Sequence, residues 1–441
     1  MAVSQGAERV TWTETPTPKC MVLFRPHDNY KGEFGFDWLR VKDNDLAEEP
    51  DYESIILSGY KDGISDYSDK EAYAVLKSEY RKMPIYGFRS DDSNSGEYYV
   101  PYLNLYPKTY SDTITELGLK PPYEAKLKVL VEIKDADVEE IKLEYDGTIF
   151  SINEQDTFSL DDKKVCDLQA SLNWEIKITC KKEIRNCFEG EICAYAYYED
   201  DKGELKKVLA GKIQVGPNDA SSRKTVKLVM VSLRTNLAGE RKEGKWDDSE
   251  KEKIWGIFYQ ALVHPKLCSE YNGTRGLVTL DLTQDPDFLP GGKYVNVIGT
   301  LKVDGNTIRT MIKDLTSKFF TVRSNVQYID CIPAYIMEER VPYSKGLSIA
   351  GFADANYNAS GERVGFSNKS ISFLSRDLGT ISHEILHGLQ LYHTHRDDNL
   401  PLKHPNIKYI YPYKGTDNIM THATVKRTTW HWQWQIIRRN L

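Results

Sequence analysis

The segment from His383 to His393 constrains the fold of this chain more than any other. On an α-helix, His383 and His387 would lie one turn apart and project side by side. Seven of the nine histidines lie at or after position 383, so we expect a histidine-dependent function at this end of the chain. Apolar residues recur here at spacings of three and four, which predicts a helix with one buried face; they are Leu378, Ile381, Ile385 and Leu389.

Two imidazoles at this spacing can bind the same tetrahedral metal ion. Glu384 points about 100° away from His383 around the helix axis, so it can reach a water molecule on the metal without being a ligand. Gly388 and the turn-like residues after it would let the chain leave the helix and bring a third histidine back to the metal. Three protein ligands and one open position are typical of catalytic zinc, whereas a structural site is closed by four. The alternative is a set of surface histidines without a shared role.

These residues resemble the pattern of a known family. His383-Glu384-x-x-His387-x-x-x-x-x-His393, followed by Asn418-Ile419-Met420-Thr421, is similar to the metzincin clan of zinc metallopeptidases. In that clan HExxHxxGxxH, with His or Asp last, precedes a methionine turn beneath the metal. The resemblance covers residues 218–441, and it implies a role for five of them. The implied Zn²⁺ ligands are His383, His387 and His393, the general base is Glu384, and the hydrophobic floor of the site is Met420.

Two positions depart from the family pattern. The family glycine falls at position 390, where this chain has Gln390. That glycine turns the chain out of the helix, often with positive φ, which a glutamine adopts at some cost. His395 is therefore the alternative third ligand to His393. Some members have a tyrosine two residues after the methionine, and His422 is the candidate catalytic residue there; it would polarise the substrate carbonyl, the alternative being a loop histidine.

Changes in residue pattern divide the chain into three predicted domains. Residues 1–118, rich in Tyr, Gly and Asp, predict an N-terminal β-rich module with a helix near Asp69–Arg81. Residues 119–217 contain short alternating segments at regular spacing, such as Trp174–Cys180, which predict a β-sandwich. Residues 216–222 are the clearest linker, and they lead into the third domain.

Residues 218–441 alternate between strand-like and helix-like segments, which predicts an α+β domain. The resemblance makes this the zincin-like metallopeptidase domain of a multidomain α+β chain. A substrate would pair with a sheet edge above the metal-binding helix, and Leu347–Ala353 is the predicted edge. Trp430–Trp434 predicts a terminal element that packs onto this domain, the alternative being a membrane-inserting tip. The other predicted strands are Lys224–Leu233, Leu277–Leu282 and Val326–Ile336, and the predicted helices are Asp248–Val263 and Thr307–Phe319.

The charge and the apolar content limit the partners. The 441-residue chain has 58 Lys and Arg against 65 Asp and Glu, a formal net charge of −7, so nucleic acid is not an expected partner. No apolar run approaches the roughly 18–20 residues needed to span a bilayer, so we expect no stable membrane insertion. The start, Met1–Gly6, lacks the basic and apolar regions of a signal peptide. We therefore expect synthesis in the cytoplasm without a Sec signal and, for a secreted chain, export by a non-Sec route.

A second resemblance concerns the beginning of the chain. The segments Phe24–Pro26 and Gly32–Trp38 resemble leader modules of bacterial toxins delivered by contractile secretion systems. This resemblance implies that the chain is a secreted effector or toxin and that a secretion apparatus is one of its partners.

The remaining reactive residues carry weaker predictions. The seven cysteines form no CxxC pair, which favours buried thiols. Asp397 and Asp398 are a candidate calcium site, the alternative being a solvated loop. A disulfide is the alternative for four cysteines, which are Cys166, Cys180, Cys187 and Cys193.

The prediction for the whole chain is a zinc-dependent endopeptidase that hydrolyses a protein or peptide substrate with a water activated by Glu384. A second hypothesis is a binding or delivery protein whose zincin domain is catalytically silent. A third is a peptidase held latent by a thiol, such as that of Cys20, at the open zinc position.

Overall fold

The chain folds into a mixed α/β structure in which strands predominate. The computed structural model describes residues 19–41, 50–61, 65–85, 97–114, 118–134, 138–152, 157–159, 174–268, 276–302, 304–343, 347–361, 363–396, 406–423 and 425–441. The helices are α1 (Tyr52–Ile55), α2 (Asp69–Ser78), α3 (Lys108–Ser111), α4 (Asp248–Gln260), α5 (Gly305–Thr321), α6 (Thr380–Gly388) and α7 (His431–Arg439). The strands are β1 (Cys20–Pro26), β2 (Gly35–Asp37), β3 (Ser58–Lys61), β4 (Ser65–Tyr67), β5 (Lys82–Pro84), β6 (Glu97–Tyr99), β7 (Tyr102–Asn104), β8 (Glu124–Ile133), β9 (Glu140–Glu144), β10 (Phe150–Ile152), β11 (Thr157–Ser159), β12 (Trp174–Cys180), β13 (Glu191–Glu199), β14 (Leu205–Val215), β15 (Lys224–Thr235), β16 (Lys242–Glu243), β17 (Val263–Leu267), β18 (Leu277–Asp281), β19 (Ile332–Met337), β20 (Val341–Pro342), β21 (Ser348–Ile349), β22 (Gly351–Tyr357), β23 (Arg363–Ser372) and β24 (Tyr409–Ile410).

Two sheets in the first half of the chain share one buried core. Their strand orders are β1-β8-β12-β10 and β11-β9-β13-β14-β7-β2. Alternate residues, such as Val129 of β8, Ile176 of β12 and Ile192 of β13, belong to the same hydrophobic cluster, because successive side chains of a strand lie on opposite faces. The alternation in the sequence located β12, which has the predicted bounds.

Strands of the predicted N-terminal module, residues 1–118, pair with strands that follow residue 118. β1 pairs antiparallel with β8, with Cys20 opposite Ile133, and β2 and β7 extend the second sheet beyond β14. The boundary at residue 118 therefore does not separate two sets of sheets. Without β1, one side of β8 would be a sheet edge with unpaired N–H and C=O groups, which explains why the two segments fold together.

The rest of the described N-terminal segment packs against the C-terminal part of the chain. β3 pairs antiparallel with both β4 and β24. The buried Trp430 donates a hydrogen bond from Nε1 to the hydroxyl of Tyr52 at 3.0 Å. The predicted helix near Asp69–Arg81 is α2, which begins at a capping box between Ser68 and Glu71 and ends at Ser78.

β15 is the strand around which the C-terminal sheet is built. The order is β16-β15-β19-β23-β22, and β17 and β18 also pair with β15. β17, β18 and β19 run parallel to β15 and β23 runs parallel to β19, whereas β22 is antiparallel to β23 at the end of the sheet. Met230 of β15 packs with α4 and α6, while its neighbour Val231 packs with α5 on the other face. A strand covered on both faces appears in the sequence as a continuous apolar run, as predicted for Lys224–Leu233.

Two features of this part of the chain differ from the prediction. The predicted linker at 216–222 is anchored, since the buried Asn218 side chain donates to Leu105 O and accepts from Ile184 N–H, both at 2.7 Å. The strand predicted over Val326–Ile336 is wrong in its first part. A 3-10 helix occupies Arg323–Tyr328, and β19 begins only at Ile332. Asn325 favours the turn because its side chain donates to Phe319 O at 3.0 Å, at the end of α5.

Six cysteines lie in the described part of the chain, and none of them is joined in a disulfide. This excludes a disulfide among Cys180, Cys187 and Cys193; Cys166 lies outside the described residues. Cys20 is buried in the first sheet, where it packs in the core shared with the second. Its thiol is therefore not at the histidines, and the latency hypothesis based on Cys20 is wrong.

The C-terminal helix is a packing element. Trp430, Trp432 and Trp434 are all buried and belong to the cluster that contains α4 and α6, which confirms the predicted packing rather than a membrane-inserting tip. In the described part of the chain, no helix is both long enough and apolar enough to cross a membrane.

Candidate metal centre

Helix α6 carries the first two predicted ligands, and its N-terminus is tied down by Asp377. The Asp377 carboxylate accepts hydrogen bonds from Gly379 N–H at 3.1 Å, Thr380 Oγ1 at 2.7 Å and Lys426 Nζ at 2.8 Å. The helix packs on β22 and β23, and all nine of its residues are buried. Leu378 lies before the helix and is 51% exposed, so its predicted place on the buried face is wrong.

Gln390 ends the helix in the conformation expected of the family glycine. Its φ is +65°, in the left-handed region. Gln390 N–H donates to His387 O at 2.8 Å and Leu391 N–H donates to Leu386 O at 3.1 Å, which is the pair of bonds that defines a Schellman motif. The turn out of the helix therefore forms with a glutamine in place of the glycine.

The side chain of Gln390 provides hydrogen bonds that offset the strain of this conformation. Its Oε1 accepts from Phe366 N–H at 3.1 Å and its Nε2 donates to Phe366 O at 2.7 Å. The amide thus pairs with β23 as a neighbouring backbone would. Gly365 leaves the space for it, because a Cβ there would lie 2.7 Å from Gln390 Oε1.

The Nε2 atoms of His383, His387 and His393 form a nearly equilateral triangle. They are 3.0 Å apart between His383 and His393, 3.1 Å between His387 and His383, and 3.1 Å between His387 and His393. Nitrogens at this separation can all lie about 2 Å from one zinc-sized ion. The turn at Gln390 therefore brings His393, rather than His395, to the two helix histidines.

Hydrogen bonds at the far side of two rings fix which nitrogen faces the triangle. His383 Nδ1 lies 2.8 Å from Ile419 O, and His387 Nδ1 lies 2.7 Å from Leu391 O. A carbonyl only accepts, so each Nδ1 carries the hydrogen and each Nε2 has a lone pair. Burial and the neighbouring His387 lower the pKa of His383 well below its usual 6.5, which keeps the ring neutral. The Nε2 lone pairs of His383 and His387 repel each other at this distance, and a cation bound to both nitrogens would remove that repulsion.

The segment Asn418–Thr421, predicted to be a methionine turn, forms a tight turn that contacts His383. Thr421 N–H donates to Asn418 O at 3.0 Å, which closes a tight turn over residues 418–421. Ile419 O is the acceptor for His383, and Met420 O accepts from Thr394 N–H at 3.2 Å. Met420 itself is fully buried.

His395 and His422 lie on the His393 side of the triangle. The ring of His395 stacks on that of His393 with centroids 4.8 Å apart. The His422 ring is 4.8 Å from His393 and 5.7 Å from His383, and its side chain is exposed. Tyr413, which no sequence pattern marks, lies against both rings, with its centroid 5.0 Å from that of His395 and 5.5 Å from that of His422.

The carboxylate of Glu384 is buried against the start of β22. A Cβ on Gly351 would lie 2.7 Å from Glu384 Cγ and 2.8 Å from its Oε1, so only a glycine leaves room for this side chain. Burial raises the pKa of Glu384 to about 8, an effect that Lys426 opposes and Asp377 reinforces. No sequence signal marks Gly351, because its role depends on the register of a strand 33 residues away from the glutamate.

The candidate calcium residues Asp397 and Asp398 lie outside the described residues.

Comparisons of this chain with protein-family models, curated proteins and solved structures found no match. The function must therefore be inferred from the chemistry and the geometry of the histidine site.

Proposed function

We propose that this chain is a zinc-dependent endopeptidase that hydrolyses peptide bonds in a protein or peptide substrate. The observation that carries the proposal is the triangle of three Nε2 atoms, each 3.0–3.1 Å from the others, two of which come from the helix that also carries the buried Glu384. Two of the rings are already in the tautomer that a metal requires, because their Nδ1 atoms donate to backbone carbonyls.

Three imidazole nitrogens are a donor set that suits Zn²⁺. His383, His387 and His393 would hold the ion and leave one position open to water or substrate. When bound, zinc supplies Lewis-acid chemistry, lowering the pKa of a water molecule and polarising a carbonyl group.

Glu384 would act as the general base. It accepts the proton of the attacking water and transfers it to the leaving amine. Its high pKa in the absence of a cation reflects burial, and a divalent cation nearby favours the carboxylate, which is the form that accepts a proton. Because Gly351 has no side chain, the Glu384 side chain can pack against the start of β22.

His422 would polarise the substrate carbonyl. Its exposed ring lies beside His383 and His393, with centroids 5.7 and 4.8 Å away. This position, on a solvent-facing side of the triangle, is one that an arriving substrate can reach.

The substrate strand would pair with β22. This strand lies at the end of the C-terminal sheet and begins at Gly351, next to Glu384. The predicted edge at Leu347–Ala353 overlaps β21 and the first residues of β22. An extended peptide that adds to a sheet edge is held by its main chain, so its scissile bond can lie near the histidines.

The experiment that tests this function compares wild-type protein with Glu384→Gln. We expect about one tightly bound zinc per chain in both, by elemental analysis, and hydrolysis of a denatured protein substrate to fall at least about a hundredfold in the variant. Glu252→Gln, which changes an exposed carboxylate on α4, is the matched control and should cleave normally.

Three other outcomes would decide against the proposal. Normal cleavage by Glu384→Gln would reject the role of the glutamate. A wild type that holds no zinc would reject the metal site. A wild type that holds zinc but cleaves no substrate would favour the silent binding or delivery protein.

A further inference from the structure

A second group of histidines adjoins the first and shares one member with it. His393, His395 and His422 each offer a ligand atom, and these atoms all lie within 4.8 Å of one another. The three ring centroids are 4.8–4.9 Å apart, similar to the 4.6–5.0 Å between the rings of the first triangle. The five histidines thus form two adjoining triangles.

We propose that the second triangle is a separate zinc site, with the ion held chiefly by His395 and His422 on the side of His393 away from His387. This deepens the proposed function and rests on it, since it adds a second ion beside the catalytic one. Donors that are all imidazoles select zinc or a similar transition metal over magnesium or calcium, which prefer oxygen ligands.

The two ligands differ in exposure in a way that suits a binding site. His395 is buried and follows the turn after α6, where it forms a parallel β-bridge with Tyr411. His422 is exposed and directly follows the methionine turn. Nitrogens on one tetrahedral ion are about 3.4 Å apart, so a small rotation of the exposed His422 side chain completes the site around the fixed His395. The exposed side also gives an ion its route of entry.

Occupation of this site would inhibit the enzyme. The ring of His422 is the group that the proposed function assigns to the substrate carbonyl, and an ion bound to it withdraws its nitrogen. The second ion also places another positive charge beside the first, so it should bind more weakly. Zinc would then activate the chain when one ion is bound and inhibit it when two are bound.

The test is a zinc titration of metal-free protein against a chromophoric chelator. Wild type should bind two ions, one tightly and one weakly. His422→Ala and His395→Ala should each lose only the weak ion, whereas His387→Ala should lose the tight one. His27→Ala, a histidine in the first half of the chain, is the matched control and should bind both. Circular dichroism checks that each variant is folded, and the exposed position of His422 makes its variant the safest of the set.

The outcomes separate this proposal from the function it rests on. A wild type that binds one ion, lost in His387→Ala, overturns the second site and leaves the peptidase proposal standing. Two ions that persist in both His395→Ala and His422→Ala also overturn the second site. Retention of the tight ion in His387→Ala counts against the first site instead. Peptide hydrolysis that stays constant while the weak ion binds overturns the inhibitory role.

Discussion

Gln390 shows how a side chain can take the place of a glycine at a helix end. A left-handed residue with a Cβ costs roughly 1 kcal/mol, and here a side-chain amide that bonds both backbone groups of Phe366 offsets that cost. We expect Gln390→Ala to lower the free energy of unfolding of the metal-free protein by about 2 kcal/mol, because two hydrogen bonds are lost while the strain remains. Gln390→Gly should lose about 1 kcal/mol, since it also relieves the strain.

Urea unfolding and zinc affinity measure these two variants. The order of stability should be wild type, then glycine, then alanine, and the zinc dissociation constant should rise in the same order because the turn positions His393. An alanine variant as stable as wild type would show that the Phe366 contacts contribute nothing.

Gly351 should matter for catalysis without contributing to metal binding. In Gly351→Ala the new Cβ would lie 2.7 Å from Glu384 Cγ, so the carboxylate must move. Moving a catalytic group by about 1 Å can cost about a hundredfold in kcat. The positions of the histidines and the zinc content should be unchanged. Steady-state hydrolysis with elemental analysis checks this, and Gly147→Ala, where a Cβ meets nothing within 4 Å, is the control. Full activity in Gly351→Ala would place the general base elsewhere.

The residues of the candidate site differ in how far apart in the chain the interactions that position them lie. His383, Glu384 and His387 could be found from the sequence because one helical turn joins them. The position of His393 depends on the turn at Gln390. The Gln390 side chain is held by Phe366 on β23, 24 residues earlier. Gly351 contacts Glu384, 33 residues later, and Tyr413 contacts His395 and His422, 18 and 9 residues away, so the periodicity of a single element could not identify either residue.

At the scale of the element, α6 depends on the interactions of Asp377 at its N-terminus. The side chain bonds Gly379, Thr380 and Lys426, and the Lys426 contact holds the pKa of Asp377 below its usual 3.8 although burial opposes this. A group with a lowered pKa in the folded state stabilises the fold above its unfolded pKa and loses that contribution as the pH falls through the folded one. The stabilisation should therefore be complete at pH 6 and decline below about pH 4.

Asp377→Asn tests this interaction. At pH 6 we expect a loss of about 1 kcal/mol, typical of a helix N-terminal carboxylate that is partly exposed. The gap between wild type and variant in urea unfolding should narrow as the pH is lowered toward 3.5. A gap that is constant with pH would mean that the asparagine keeps the hydrogen bonds and that charge has no part.

Helices and strands were predictable where a single hydrophobic periodicity extends along the whole element. β12 alternates cleanly and was located to the residue, and α4 and α5 were found within a few residues because their apolar faces are continuous. The failure at Val326–Ile336 has a physical cause. A polar turn centred on Asn325 follows α5 directly, and its side-chain bond to Phe319 O is a local feature of the helix end that apolar content alone does not reveal.

The whole molecule is joined by buried contacts between its two ends. Gln260, at the end of α4, donates from Nε2 to Gly32 O at 2.9 Å and to Arg427 O at 2.8 Å, and its Oε1 accepts from Thr429 N–H at 2.7 Å. His431 N–H donates to the buried Asp37 carboxylate at 2.9 Å. Long-range contacts of this kind leave no periodic pattern, which is why the sequence suggested a separate N-terminal module. The secretion apparatus as a partner stays a prediction from the resemblance of Phe24–Pro26 and Gly32–Trp38.

These contacts predict that residues 119–441 do not fold independently of the first 118 residues. Removing residues 1–118 deletes β1, β2 and β7 from the two sheets that share a core, exposes the edge of β8, and takes Tyr52 away from Trp430. We expect the truncated chain to aggregate or to lose its near-ultraviolet circular dichroism signal, and to bind zinc weakly. Near-ultraviolet spectra, soluble yield and zinc titration beside the full chain measure this, with Tyr52→Phe, which loses one hydrogen bond, as the mild control. A folded truncated chain with higher peptidase activity would instead mean that the N-terminal residues act as a removable inhibitor, and that contacts such as those of Gln260 and Asp37 hold that inhibitor in place.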